Sequence, residues 1–192
     1  MIIVTSLKDH ANVCKSLNAS HLISVIDPGF APDTPYNVKH HLRLGFDDIT
    51  EINSKNFIHR KSSFVQTKNI DEQVLPNEKH IIEIINFVLK WDKASPIVIH
   101  CWCGVSRSMA TAIYILCKYY PNDIDRNIRY IRSIAPHANP NKLMISLFEK
   151  HLGLNGLINK SLKKYPSTIT YDCEINFAPI TIFKLEELKK FK

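Results

Sequence analysis

Apolar residues along this chain recur with two periods, and the change from one to the other sets the element order. Ile2 to Thr5 is a short apolar run, and Ser6 with Asp9 three residues on reads as a capping box opening a helix through about Leu17. His21 to Ile26 is rich in β-branched residues and stops at Asp27-Pro28-Gly29, a turn signal. From Val38 to Phe46 every second residue (Val38, His40, Leu42, Leu44, Phe46) falls on one face, the period of a strand leading into Asp47-Asp48. From Pro76 to Trp91 the period lengthens. Ile81, Ile84, Ile85, Val88 and Leu89 recur at helical spacing, and Pro76 suits the first turn. Ile97-Val98-Ile99 is apolar without alternation, the mark of a central parallel strand covered on both faces.

Behind that strand, Met109 to Tyr120 reads as a helix closed by Pro121, and Asp123 to Ile134 repeats the helical pattern through Ile124, Ile128 and Ile131. Asn139 followed by Pro140 reads as an N-cap with Pro at the first helical position, opening a helix through Leu152. Strands alternating with helices predict an α/β fold with a central, mostly parallel sheet flanked by helices. Its ligands are expected at the carboxyl ends of the strands. Residues 52–74 are polar, lack clean periodicity and exceed an ordinary connection, so they read as a loop insertion. Residues 155–192 hold two candidate strands, Thr168 to Tyr171 and Ile180 to Phe183, before a charged helical tail. They read as a C-terminal extension packed on the same domain.

The chemistry concentrates at Pro96 to Ser108. The apolar strand delivers His100-Cys101 into a short loop, Trp102-Cys103-Gly104-Val105-Ser106, and Arg107 follows six positions after the cysteine, just ahead of the next helix. Strand, anion-sized loop and helix N-terminus in succession make a phosphate cradle, because loop N–H groups and the helix dipole converge on one spot. A positive field of this kind favours a thiolate over a thiol and so activates a cysteine nucleophile. The Arg107 guanidinium matches a phosphoryl group bidentately, which an ammonium cannot do. Gly104 stands where the loop must turn tightly, and Ser108 directly follows the arginine.

The string His100-Cys101-x-x-Gly104-x-Ser106-Arg107-Ser108 resembles the signature loop of cysteine-based protein tyrosine and dual-specificity phosphatases. Leu42-Arg43-Leu44-Gly45-Phe46-Asp47-Asp48-Ile49, Pro76-Asn77-Glu78-Lys79-His80, Trp91-Asp92, Ser95-Pro96 and Ala135 to Asn141 look like the compact bacterial branch of that family. The resemblance covers most of residues 1–154, read as a catalytic domain, and fades afterwards. It implies phosphomonoester hydrolysis through a phosphocysteine on Cys101, with no metal and no cofactor. His100 would order the loop and favour the thiolate. Ser108 would steady the departing thiolate, and residues 102–107 with the Arg107 side chain would hold the phosphate oxygens. The general acid must protonate the leaving oxygen. Asp48 is the first candidate, with Asp47 its neighbour and Asp71, about thirty residues before Cys101, a third. Cys103 departs from the pattern, where small residues such as Ala are common; a second thiol offers a sulfenic-acid trap, against which ring strain weighs. Whether Trp102 lies at the rim or anchors the core is open. Two other readings stand beside the phosphatase: a catalytically silent phospho-binding module, and a sulfurtransferase-like or arsenate-reducing thiol enzyme that would not require Asp48.

Composition narrows the setting. The 192 residues are one domain by length, and the apolar (45 %) and charged (22 %) shares are those of a globular protein without a membrane span. The start, Met1 to Ser6, lacks a basic segment followed by a long apolar one, so it reads as a strand rather than a secretory leader, and a cytoplasmic setting is expected. Five cysteines (Cys14, Cys101, Cys103, Cys117, Cys173) outside a secretory context argue for reduced thiols, and no Cys/His spacing matches a zinc site. The net charge of +7 comes from dispersed lysines without any nucleic-acid-binding signature. It suits attraction of an anionic partner, a phosphorylated protein or small phosphorylated substrate, better than nucleic acid.

Overall fold

The computed structural model describes residues 1–52, 70–171 and 176–192. Within them the chain forms β1 (Ile2–Thr5), α1 (His10–Ser16), β2 (His21–Ile26), β3 (His40–Gly45), α2 (Glu78–Leu89), β4 (Ile97–His100), α3 (Arg107–Tyr119), α4 (Ile124–Ile134), α5 (Lys142–Leu152), α6 (Leu157–Lys164), β5 (Thr181–Phe183) and α7 (Leu185–Lys190). The strands make one sheet in the order β3-β2-β4-β1-β5. Its pairs are parallel except β1 with β5. This is the expected α/β architecture, with the apolar Ile97-Val98-Ile99 run at its centre, wholly buried.

Side-chain alternation along each strand divides the core in two. Ile2, Val4, Ile23, Val25, Leu44, Ile97 and Ile99 face the larger cluster, which α2, α3, α4 and α5 cover. Ile3, Leu22 and Val98 face the other way, onto Val13, Cys14 and Ala19 from α1 and the turn after it. The larger cluster accounts for why α3 is buried on nearly every side, from Arg107 through Cys117. Crossovers that place helices on both faces leave the strand carboxyl ends clear, and Thr5, Ile26, Gly45 and His100 all end at that edge.

Several caps differ from those expected. Ser6 and Asp9 bond to each other through their side chains (2.9 Å) instead of capping N–H groups, so α1 begins only at His10. Pro76 lies before the cap of α2; Asn77 is the cap, and its oxygen accepts from the Lys79 and His80 N–H groups while His80 reaches back to the Asn77 N–H. The cap of α5 is Asn141, two residues beyond the expected Asn139, and Pro140 is outside the helix. In the C-terminal extension the expected strand at Thr168 to Tyr171 is absent. The Thr168 N–H bonds to the Pro136 carbonyl, outside any ladder. The strand near Ile180 does form, shortened to Thr181–Phe183 and antiparallel to β1, and α6 precedes it without having been expected. Most of the insertion at 52–74 lies outside the described residues, as does Cys173. Where the chain is described again, Ile70–Glu72 is a single 3-10 turn.

Candidate active site

The loop that follows β4 closes around its own cysteine. Cys101 is 2 % exposed, and its Sγ lies 3.3 Å from the Gly104 N–H and 3.1 Å from Ser108 Oγ. Gly104 has φ +78°, and a Cβ there would sit 3.1 Å from the Thr5 carbonyl carbon. Only glycine satisfies both the left-handed turn and the close approach to β1. The loop then runs directly into α3, with Arg107 as the first helical residue.

Arg107 is fully buried, and its guanidinium is used unevenly. Nη1 donates to Asp27 Oδ1 (2.6 Å) and to the Phe46 carbonyl. Nε and Nη2 are buried and make no hydrogen bond. Those two groups form the edge that a phosphoryl group takes up in a bidentate contact. Nε has only a longer ion pair, to Asp48 Oδ2, and buried donors left without a hydrogen bond are costly until an anion arrives. Burial disfavours the charged form, but the carboxylates of Asp48 and Asp27 outweigh it and raise the Arg107 pKa.

Asp48 stands across the same cleft. Its Oδ1 accepts from Ser106 Oγ (2.7 Å) and Asn141 Nδ2 (2.9 Å), and its Oδ2 is 3.8 Å from Arg107 Nε. Asn141 serves two purposes, since its Oδ1 caps α5 by accepting from the Met144 N–H. Asp48, Cys101, Cys103, Val105, Ser106, Asn139 and Tyr171 line a cleft of about 290 Å³. The other two carboxylate candidates are elsewhere. Asp47 is fully buried, and its Oδ2 accepts from the Val74 N–H (2.8 Å), an anchor for the chain returning to α2. Asp71 is exposed and does not line the cleft.

On the α1 side of the sheet a relay of hydrogen bonds leads to the cysteine. His100 pairs in register with Ser24, and Leu22 with His41, so the three polar side chains share one face. His100 Nδ1 faces the Cys101 carbonyl (3.2 Å) and must carry the proton, which leaves Nε2 to accept from Ser24 Oγ (2.6 Å). Ser24 then accepts from His41 Nε2 (2.7 Å), and His41 Nδ1 accepts from Arg43 Nε and from Thr34. Burial, aided by His10 stacked 4.7 Å away, pushes the His100 pKa down to about 3. Burial, with Arg43, pushes His41 down to about 4. Both rings are neutral at physiological pH, as the relay requires.

Three participants were not singled out from sequence. Asp27, read as a turn residue, holds Arg107 through one oxygen and the Trp102 indole N–H through the other (2.8 Å). Trp102 is thereby half-buried, its ring tilted beside that of Phe30 (5.3 Å between centroids). Asn141 was passed over for Asn139, and Ser24 lay inside an apolar strand. An acidic residue at a strand's carboxyl end was the available signal for Asp27; nothing in the sequence marked Ser24.

A sheet ending in a cysteine-centred anion loop with a buried arginine defines a class of phosphate-handling α/β proteins. The model of the dual-specificity phosphatase catalytic domain matches residues 14–151, and the chain belongs to that family. It is a protein tyrosine phosphatase-like hydrolase. Among solved structures, that of DUSP15 is similar at TM-score 0.56 and 17 % identity, covering 87 % of this chain and 94 % of that one. Human DUSP28 matches at 0.56 and 14 %, covering 83 % and 94 %. The human tyrosine phosphatase-like serine/threonine/tyrosine-interacting protein matches at 0.57 and 12 %, covering 80 % and 92 %. At these identities the likeness is one of fold. No curated protein matches the chain.

Proposed function

We propose that the chain hydrolyses phosphotyrosine, and phosphoserine, phosphothreonine or small phosphomonoesters with it, through a phosphocysteine on Cys101. The observation that carries this reading is the pair of buried, unbonded donors on Arg107 beside the Cys101 thiol. In the first step the Cys101 thiolate attacks phosphorus in line and the S–P bond forms as the ester P–O bond breaks. Asp48, protonated, gives its proton to the leaving oxygen. Arg107 Nε and Nη2 with the loop N–H groups hold the equatorial oxygens as charge redistributes. In the second step water attacks phosphorus, Asp48 takes its proton, and the thiolate departs toward the Gly104 N–H and Ser108 hydroxyl. Trp102, Cys103, Val105 and Ser106 supply loop backbone, and His100 orders it through the Cys101 carbonyl. Reduced thiols suit a cytoplasmic setting. Cys14, Cys101 and Cys117 are free thiols. Among the described residues no helix is long and apolar enough to cross a membrane.

A silent phospho-binding module needs the cradle but not a thiol at its floor, and an arsenate-reducing or sulfur-transferring enzyme does not need a carboxyl group in the cleft. The placement of Asp48 within 3.8 Å of Arg107 favours the hydrolase. The test is metal-free turnover of phosphotyrosine and phosphothreonine peptides. Cys101→Ser should abolish turnover while retaining vanadate binding, and Arg107→Lys should lose about 10²-fold or more, since an ammonium keeps the charge but not the bidentate contact. Unchanged phosphate release by Cys101→Ser would overturn the reading.

A further inference from the structure

Tyr171 lies in the C-terminal extension, outside the span matched by the family model, yet it lines the same cleft as Cys101 and Asp48. It is the one aromatic side chain among the described lining residues. The segment that carries it is tied to the catalytic body on both sides. Before it, the Thr168 N–H bonds to the Pro136 carbonyl (3.0 Å). After it, the Ala178 N–H bonds to the carbonyl of Cys103 (3.1 Å), within the phosphate loop itself. Tyr171 is half-buried, and its ring meets that of the buried His137 edge to face, 5.3 Å between centroids at 85°. An aromatic group so held is pre-positioned, and little freedom is lost when a ligand packs on it.

We propose that Tyr171 is a specificity-determining residue that favours aryl over alkyl phosphate esters by packing against the substrate's ring. The inference rests on the phosphatase reading above. With the phosphate oxygens held at the loop, the bridging oxygen points out of the cleft. In phosphotyrosine a rigid ring is bonded directly to that oxygen and reaches the wall; in phosphothreonine a methyl group and backbone occupy the place. Ring–ring packing at 4.5–7 Å adds attraction beyond area burial, and the alkyl ester has no ring to offer. The remaining wall is Val105 and polar side chains, which discriminate little between the two.

The test compares full-length wild type, Tyr171→Ala and Tyr171→Phe on one peptide sequence carrying phosphotyrosine or phosphothreonine. Tyr171→Ala should lower the phosphotyrosine-to-phosphothreonine ratio of kcat/KM about three- to tenfold, mostly through KM, and Tyr171→Phe should restore the ratio. Inhibition by inorganic vanadate, which fills only the loop, should shift less than about twofold. An unchanged ratio in Tyr171→Ala, or a parallel loss on both peptides and on vanadate, would overturn the proposal while leaving the phosphatase reading intact. Wild type that hydrolyses neither peptide would refute that reading instead.

Discussion

Asp48 and Asp47 are adjacent in sequence and opposite in fate. The Asp47 carboxylate turns inward to hold the Val74 N–H, while Asp48 turns into the cleft against Ser106 and Asn141. If Asp48 supplies the proton, Asp48→Asn should lower kcat about 10²- to 10⁴-fold for poor leaving groups and much less for activated aryl phosphates. Only a poor leaving group needs its oxygen protonated as the P–O bond breaks. Asp47→Asn should instead lower the melting temperature without a leaving-group-dependent defect, and Asp71→Asn should do neither. Rates measured across an aryl phosphate series decide the matter: the dependence appearing in Asp71→Asn and not in Asp48→Asn would overturn the assignment. The sequence carried the acidic pair and its delivery to the sheet edge. Periodicity alone could not separate the two residues, because a one-residue change of register reverses which side chain faces the core; the preference for Asp48 rests on the resemblance.

At the scale of elements, the strand-loop-α3 unit was legible almost residue by residue. A buried central strand, a tight glycine and a helix start each leave a strong local signal. The partners that complete the site come from distant elements: Asp27 after β2 and Asn141 at the cap of α5. Each also satisfies a local rule, a turn in one case and a cap in the other, and the local rule hides the long-range contact. The α5 cap shows the coupling and can be tested. Asn141→Ala removes both the cap and one bond to Asp48. It should lower stability by about 1 kcal/mol, roughly 2–4 °C in Tm, and activity about tenfold. Asn141→Asp keeps a cap oxygen but sets a carboxylate against Asp48. It should hold the melting temperature near that of wild type and still lose activity. Matching losses of stability in both variants, with activity retained in Asn141→Asp, would show that the bond to Asp48 is immaterial.

For the whole molecule, the pattern of periods predicted the layers, and the C-terminal extension was the least legible part. Its short strand is held by pairing with β1 and by Tyr130 of α4, whose ring meets Phe183 and whose hydroxyl bonds the Lys184 backbone, and these are tertiary contacts with no periodic signature. The buried histidines give the fold a definite pH response. His100 and His41 titrate near 3 and 4 when folded, against an ordinary value of 6.5, and burial also lowers His21, His80 and His137. The unfolded chain therefore binds more protons than the folded one below about pH 6.5. The stability from these groups is complete above that value and is lost as pH falls toward 3 to 4. Tm should drop by roughly 5 °C or more between pH 7.5 and 5, a window mostly above the carboxylate range. His41→Gln with His100→Gln should flatten part of that slope. A Tm that is level over the window, or a slope unaltered in the double variant, would contradict the neutral relay.

The central claim is that Cys101 carries the phosphoryl group between the two steps. Rapid acid quench of the enzyme during turnover of a phosphotyrosine peptide, followed by peptide mapping, reads this directly. The account predicts a phosphoryl adduct on Cys101, absent from Cys101→Ser, and more abundant in Asp48→Asn when an activated aryl phosphate replaces the peptide, because formation then no longer needs the acid while the attack of water still does. Sustained turnover with no adduct on Cys101, or with the adduct on another residue, would contradict it.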